Sequence, residues 1–304
     1  MEIQIDPHTL ERQKEYGNPR SQRQMNGPDM PSADIAFIGG SGTFSINFPE
    51  DLSLKGIEII EKDLVLETPY GRGPKLKYFR IPAEEGDSRT VITCKMHGWR
   101  SEIPRAQASL QLFWTLHQAG VKKVISEGGV GSLNLLLDLR DIVIPTDFID
   151  HSTRKDLKVV GDNLLIMRQP ICPQIHQALL SSALSRPLNR IFARGVYVVT
   201  EGYRFESPAE VSVLRSWGGD IVGQSLSPEV YLSRDIGACF GGLYTVVNYA
   251  EGVVKEWRHE DLKDIFYQDA PQVGEIILDA LQKISLTQEC GCMQFRKPTL
   301  LEEE

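Results

Sequence analysis

Several short segments of the chain gather residue types able to hold an anion or read a flat heterocycle. Gly39-Gly40-Ser41-Gly42-Thr43 follows the apolar run Ile35-Ala36-Phe37-Ile38. Glycines there let backbone N–H groups approach a ligand and Ser41 adds a hydroxyl, a combination that cradles a phosphate-like anion. The spacing fits neither the dinucleotide fingerprint nor the Walker pattern, so a tight structural turn is the alternative reading. Glu127-Gly128-Gly129-Val130-Gly131-Ser132 reads as a second such loop, placed after a strand ending at Ser126, where open α/β sheets gather their ligands. Between the two stands Lys95-Met96-His97-Gly98-Trp99-Arg100. Lys95 and His97 alternate to one side of an extended chain and could meet one anion together; a solvated basic turn is the alternative.

Further on, Glu201-Gly202-Tyr203-Arg204-Phe205-Glu206 follows another strand end. A ring beside a carboxylate suits a heterocycle, because Phe205 can stack while Glu206 accepts ring N–H bonds. In Gly223-Gln224-Ser225-Leu226-Ser227-Pro228-Glu229, Ser225 stands just ahead of a helix N-terminus, where its hydroxyl and free amides favour an anion or a sugar hydroxyl. Asn248 ends an apolar strand and offers both a donor and an acceptor for a base edge.

These residues need strands and helices to position them. Strand-like runs recur at Ile35–Ile38, Leu76–Ile81, Thr90–Cys94, Val121–Ser126, Asp141–Ile144, Val196–Thr200, Asp220–Val222 and Leu243–Val247, which implies one large sheet. Helical spacing predicts a helix over Ala106–Gln118, stopped by Gly120. Ser207-Pro208-Ala209-Glu210 is a capping box opening a helix through Trp217, Ser227-Pro228-Glu229 repeats the start signal, and a last helix should run from about Glu260 to Ile284. Alternating strands and helices predict an α/β fold. Residues 1–33 read as a polar N-terminal extension, residues 34–285 as a single domain, and residues 286–304 as a C-terminal tail with a frayed acidic end.

Composition narrows the function classes. The 33 Lys+Arg against 41 Asp+Glu give a net charge of −8, which argues against nucleic-acid or anionic-membrane partners while leaving room for a small anion in a local cluster. Five scattered cysteines and the absence of a long apolar run point to a reduced, cytoplasmic setting. Cys290-Gly-Cys292 is the one close pair; with no second Cys/His pair nearby in sequence, it reads as tail thiols and no metal is expected.

Taken in order, the motifs Ile38-Gly39-Gly40-Ser41-Gly42, Glu67-Thr68-Pro69-Tyr70-Gly71, His97-Gly98, Val130-Gly131-Ser132-Leu133, Glu201-Gly202-x-Arg204-Phe205-Glu206-x-Pro208-Ala209-Glu210 and Pro228-Glu229-Val230 resemble the trimeric purine nucleoside phosphorylase and methylthioadenosine phosphorylase family. The resemblance covers about residues 34 to 285, and the fifth motif carries most of its weight. It implies a phosphorylase/hydrolase-like α/β fold with a mixed central sheet flanked by helices, homotrimeric assembly, and phosphorolysis of a purine nucleoside with inorganic phosphate as co-substrate and no other cofactor.

Residue by residue, the resemblance implies that Ser41, His97 and Ser225 hold phosphate, that Phe205 lies against the nucleoside with Tyr203 close by, and that Glu206 and Asn248 bind the base and stabilise the charge developing on it. It also implies that His259 bonds the ribose 5′-hydroxyl; Asn248, where the methylthioadenosine branch usually has Asp, leans toward 6-oxopurines. The chain departs from the family at the site itself. Met96 precedes His97 where an arginine is usual, leaving Lys95 and Arg100 as the available phosphate cations. Gly128 and Gly129 replace Thr/Asn and Ala beside an added carboxylate, Glu127. Gln224 replaces the methionine under the ribose, and Arg105-Ala106-Gln107-Ala108-Ser109 replaces the Tyr/Asn segment. Beside phosphorolysis, these changes leave open a hydrolase or another N-ribosyl transfer using Glu127 as base, a 5′-methylthionucleoside phosphorylase, and a non-catalytic nucleoside-binding protein.

Overall fold

The computed structural model describes residues 30–186 and 190–299. Most of the expected polar extension, residues 1–29, and the acidic end, residues 300–304, lie outside the described residues.

Eleven strands form one mixed sheet: β1 (Ile35–Ile38), β2 (Glu58–Leu64), β3 (Leu76–Pro82), β4 (Ser88–Cys94), β5 (Lys123–Ser132), β6 (Ile142–Val143), β7 (Asp147–Asp150), β8 (Ile191–Phe192), β9 (Val196–Val199), β10 (Ile221–Gly223) and β11 (Cys239–Tyr249). Their order is β8-β6-β11-β5-β1-β4-β3-β2, and β10 pairs with both β5 and β9, which in turn pairs with β7. The central strands β1, β4, β5 and β11 are mutually parallel neighbours. That arrangement suits β1 and β11, which are buried along their whole length and read as near-continuous apolar runs. Three strands of this sheet have no counterpart among the strand-like runs of the sequence. The edge strand β2, Glu-Ile-Ile-Glu-Lys-Asp-Leu, hides its alternation under charges that protect an open edge. β7 begins and ends in aspartate, and β8 has two residues.

Glu127–Ser132 is not a loop: β5 continues through it to Ser132. The cause is β11, which pairs beside it in register, Leu243 with Glu127, Tyr244 with Gly128 and Thr245 with Gly129, up to an irregularity between Val246 and Asn248. A partner strand on each residue outweighs the weak strand preference of glycine.

Among the described residues five helices flank the sheet: α1 (Arg105–Gln118), α2 (Pro173–Leu184), α3 (Pro208–Ser216), α4 (Leu226–Asp235) and α5 (His259–Lys283). Gly120, with φ +74°, ends α1 as its sequence predicts. The capping box of α3 is formed in both directions: Ser207 Oγ accepts from Glu210 N at 3.3 Å, and the Glu210 carboxylate accepts from Ser207 N at 2.7 Å. The α4 start differs from expectation, because the helix is capped by Ser225, and Ser227, joined to Pro228 by a cis peptide, departs from helical geometry inside its first turn. α2 was not anticipated. It packs on α5, and together they bury Ile175, Leu179, Ile276 and Leu281 against Phe37, Phe79 and Ile125 of the sheet. α1 packs on α4. Past α5 the chain returns to the body, where Arg296–Pro298 pairs antiparallel with Asn163–Leu165. No helix of the described residues is long and apolar enough to cross a membrane.

Candidate active site

Because β1, β5 and β11 run parallel, their C-terminal ends converge at one rim of the sheet. There a cavity of about 450 Å³ opens, in the size range of small-ligand sites. Ser41, His97, Gly128, Gly129 and Ser225 lie toward one part of its lining; Tyr203, Phe205, Glu206, Gln224 and Asn248 also line it.

The Gly39–Thr43 loop is held against β5 by Glu127. One carboxylate oxygen, Oε1, accepts hydrogen bonds from Gly40 N (2.6 Å), Thr43 N (3.0 Å) and Thr43 Oγ1 (2.6 Å). Glu127 is fully buried and does not line the cavity. Burial raises its pKa, opposed by the hydrogen bonds from Thr43 and Gly40. Its expected service as a water-activating base is therefore corrected: the carboxylate anchors the loop through Oε1 and does not line the cavity.

Two glycines allow the parts to meet. A Cβ on Gly40 would lie 2.3 Å from the Glu127 carbonyl oxygen and 2.6 Å from His97 Nε2. A Cβ on Gly129 would lie 2.7 Å from the Phe266 ring and 3.1 Å from Ser41 Oγ. Ser41 Oγ accepts from Gly129 N at 2.9 Å, so the loop and the strand form one continuous polar wall.

His97 sits in the short 3₁₀ turn Met96–Gly98, with Met96 and His97 both at positive φ, 49° and 55°. Two successive non-glycine residues in this region cost on the order of 1–2 kcal/mol each. The turn is held by His97 N donating to Gly39 O at 3.0 Å and by a buried contact of 2.7 Å between His97 Nδ1 and Glu229 Oε1. With Nδ1–H given to Glu229, Nε2 is the nitrogen left facing Gly40 and Gly128. Ser225 is held similarly: its Oγ lies 3.2 Å from the buried Tyr197 hydroxyl, whose pKa burial pushes up to about 12.

The same turn separates residues that the sequence placed together. Lys95 is exposed and donates to Phe44 O at 3.2 Å. Arg100 donates to Gly98 O at 2.9 Å and Arg72 O at 3.1 Å, and also contacts Gln111. Both line a second, lysine-rich cavity with Lys62, Lys75 and Lys77, and neither lines the one containing His97. The extended-chain alternation that would align Lys95 with His97 fails because the chain turns at Met96. His259, expected at a ribose hydroxyl, is exposed at the start of α5 and is also outside the lining; Leu262 and Phe266 of the same helix are inside it.

Arg105, not identified as a site cation from sequence, lines the cavity together with Arg204. Arg105, the first residue of α1, places its guanidinium 4.1 Å from the Trp99 ring centroid and 5.7 Å from that of Tyr203, and donates to Gln224 Oε1 at 2.5 Å. Burial, reinforced by nearby Arg154, lowers its pKa from the usual arginine value. Arg154, buried, covers Trp99 from 5.6 Å and fixes Gln224 by donating to its carbonyl oxygen at 2.8 Å while pairing with Glu201 at 2.8 Å. The only sign of Arg105 in the sequence was its place in a segment that departs from the family pattern; nothing marked Arg154, and the Pro228-Glu229-Val230 motif gave no sign that Glu229 pairs with His97, since these partners lie 47 and 132 residues away.

At the other part of the cavity, Glu206 Oε1 accepts from Thr200 Oγ1 at 2.6 Å. Phe205, half exposed, meets Trp257 edge-on at a centroid distance of 4.8 Å. Asn248 is buried, and its Nδ2 donates to Tyr249 O at 3.0 Å. Tyr203 is 99% exposed at the mouth.

The pattern of the phosphorylase superfamily matches residues 34–282. The chain belongs to that superfamily. A 6-oxopurine nucleoside phosphorylase of Pyrococcus furiosus is 30% identical over 277 residues, covering 86% of this chain and 97% of its own. An S-methyl-5′-thioadenosine phosphorylase of Pyrococcus horikoshii is 29% identical over 271 residues, with 86% and 97% covered. Among solved structures, a methylthioadenosine phosphorylase from an antarctic soil metagenomic library superposes with a TM-score of 0.68 at 25% identity, over 82% of this chain and 85% of its own. The mixed sheet flanked by helices is thus the superfamily's fold.

Proposed function

We propose that the protein cleaves the N-glycosidic bond of a 6-oxopurine nucleoside with inorganic phosphate, giving free base and ribose 1-phosphate. The observation that carries this reading is the convergence of Ser41, His97, Ser225 and the Gly128–Gly129 backbone on one part of a cavity that also holds Phe205, Glu206 and Asn248. Ser41, Ser225 and the His97 Nε2 side hold phosphate, and Arg105 supplies the guanidinium charge that Lys95 and Arg100, facing the second cavity, do not. A positioned nucleophile lowers the barrier largely through orientation. As the C1′–N9 bond breaks, its electron pair passes to the purine, and a phosphate oxygen forms the new bond to C1′. Asn248 and Glu206 hold the base while charge develops on it, an electrostatic contribution that grows toward the transition state. The reading requires phosphate as co-substrate and no metal or organic cofactor at this site. A homotrimer, a cytoplasmic setting and a place in purine salvage belong to it.

The wall formed by Phe266 and Leu262, where a histidine was expected, favours a second reading in which the ribose attached to the same base carries an apolar 5′-methylthio group. Phe266 stands beside Gly129 and Ser41, at the sugar-phosphate part. Base release from inosine, guanosine, adenosine and their 5′-methylthio forms, with and without phosphate, tests both. Phosphate-dependent release from the 6-oxopurines supports the first reading, and preference for the methylthio forms supports the second. Equal release without phosphate contradicts both.

A further inference from the structure

Four of the five cysteines come together at the opposite rim of the sheet. Cys172 caps the N-terminus of α2, Cys239 opens β11, and Cys290 and Cys292 flank Gly291, whose φ of +74° turns the chain so that both thiols face the same point. Their sulfur atoms all lie within 4.8 Å of one another, and Cys239 Sγ and Cys290 Sγ are 3.3 Å apart. Cys172, Cys239 and Cys292 are buried. The expectation of unremarkable tail thiols is corrected here. Its reason was local spacing, and the second pair of ligands comes from residues 172 and 239, which only the fold brings near.

The dimensions distinguish among uses of four thiols. A disulfide needs sulfurs about 2.05 Å apart. Tetrahedral zinc with Zn–S distances of about 2.3 Å sets its sulfurs roughly 3.8 Å apart, so a four-sulfur cluster of this spread needs only small side-chain adjustments. The surroundings supply charge balance. Lys123, buried at the start of β5, has its Nζ 3.7 Å from Cys239 Sγ and 3.9 Å from Cys290 Sγ, and donates to Gln174 Oε1 at 2.8 Å. No carboxylate among the described residues pairs with it, so the neighbouring sulfurs are the anionic partner available to a buried ammonium. The positive end of α2 adds to the preference for thiolate at Cys172.

We propose that Cys172, Cys239, Cys290 and Cys292 form a closed tetrathiolate site for zinc. All four positions are taken by protein sulfur, which marks the site as structural. Asn248 stands nine residues beyond Cys239 on the same strand, roughly 30 Å away at strand spacing. Zinc here fastens the segment after α5 to β11 and α2, remote from the cavity. Binding releases the thiol protons and involves no redox change.

The test is elemental analysis of the full-length protein, made without an affinity tag and without added metal during purification. One zinc per chain is expected, in a colourless protein; Cys290→Ser and Cys172→Ser lose it, and Cys94→Ser, altered in β4, retains it. Should the cysteine variants fail to fold, the wild-type protein decides alone. Denatured without reductant and with a chelator, it should expose five alkylatable thiols, and cobalt in place of zinc should give the intense sulfur-to-cobalt absorption of a tetrahedral thiolate site. A metal-free protein exposing a single thiol would mean two disulfides and overturn the proposal, as would iron in the place of zinc.

Discussion

The strand pair β5 and β11 carries different chemistry at its two ends. At the start, Lys123 and Cys239 face each other among sulfurs and apolar side chains, with every group paired inward. At the finish, Gly128, Gly129, Gly131 and Asn248 line a cavity whose walls depend on missing side chains and on a histidine held at positive φ. One end is filled and cross-braced; the other keeps space open at a cost in backbone strain. The difference teaches that sheet pairing is strong enough to extend a glycine-rich strand to the rim, so that the site can be built from exposed backbone without losing its frame.

The contrast is sharpest where turnover and stability should separate. Replacing His97 by alanine is expected to lower kcat/KM for phosphorolysis by about 10³-fold, comparable to removing one preorganised polar group from a reacting site. The fold should survive at a cost of about 1–3 kcal/mol, because alanine keeps the Cβ at positive φ and leaves the buried Glu229 carboxylate without its partner. Steady-state kinetics beside thermal unfolding checks this, and a collapse of stability with turnover would place His97 in the frame. The cysteine variants at the other end should reverse the pattern.

Glu127 lies between these cases because it joins the loop to the strand. Glu127→Ala should cost about 3 kcal/mol by orphaning three donors in a buried place, whereas Glu127→Gln keeps an acceptor and should cost much less. The pH dependence has a definite sign. Burial raises the folded-state pKa of Glu127 above the ordinary glutamate value of 4.5, so its stabilising contribution is complete below that value and is lost as pH rises toward the folded value. Glu127→Gln should therefore gain on the wild type as the solution passes from acidic to neutral, read from urea unfolding at several pH values. Turnover that persists in Glu127→Gln would also separate the carboxylate from the chemistry.

The smallest change is one of preference. Asn248→Asp exchanges a donor for an acceptor toward the base and should shift selectivity from 6-oxopurines to 6-aminopurines on the order of 10²-fold. Competition between inosine and adenosine measures it, and unchanged selectivity would remove Asn248 from base reading.

Much of this organisation was legible in the sequence. β1, β4, β9, α1, α3 and α5 announce themselves by apolar runs, helical spacing and caps, because local propensity and tertiary packing agree there. Ser41, Ser225, Phe205, Glu206 and Asn248 sit beside recognisable strand ends, and all line the cavity. The misreadings have a common physical origin. Glu127–Ser132 looks like a loop until β11 is laid beside it. Lys95 and Arg100 look available until the turn at Met96 directs them elsewhere. Arg105 reaches the cavity through stacking on Trp99, and the cysteines meet through pairings more than fifty residues apart, which local spacing does not encode.

The central claim is that phosphate, and not water, receives the ribosyl group in the cavity at the rim of β5 and β11. Turnover of inosine with phosphate in water enriched in heavy oxygen tests it most directly. The account predicts ribose 1-phosphate free of the heavy isotope at the C1′ oxygen, with no turnover when phosphate is withheld. Free ribose formed as fast without phosphate as with it would contradict it.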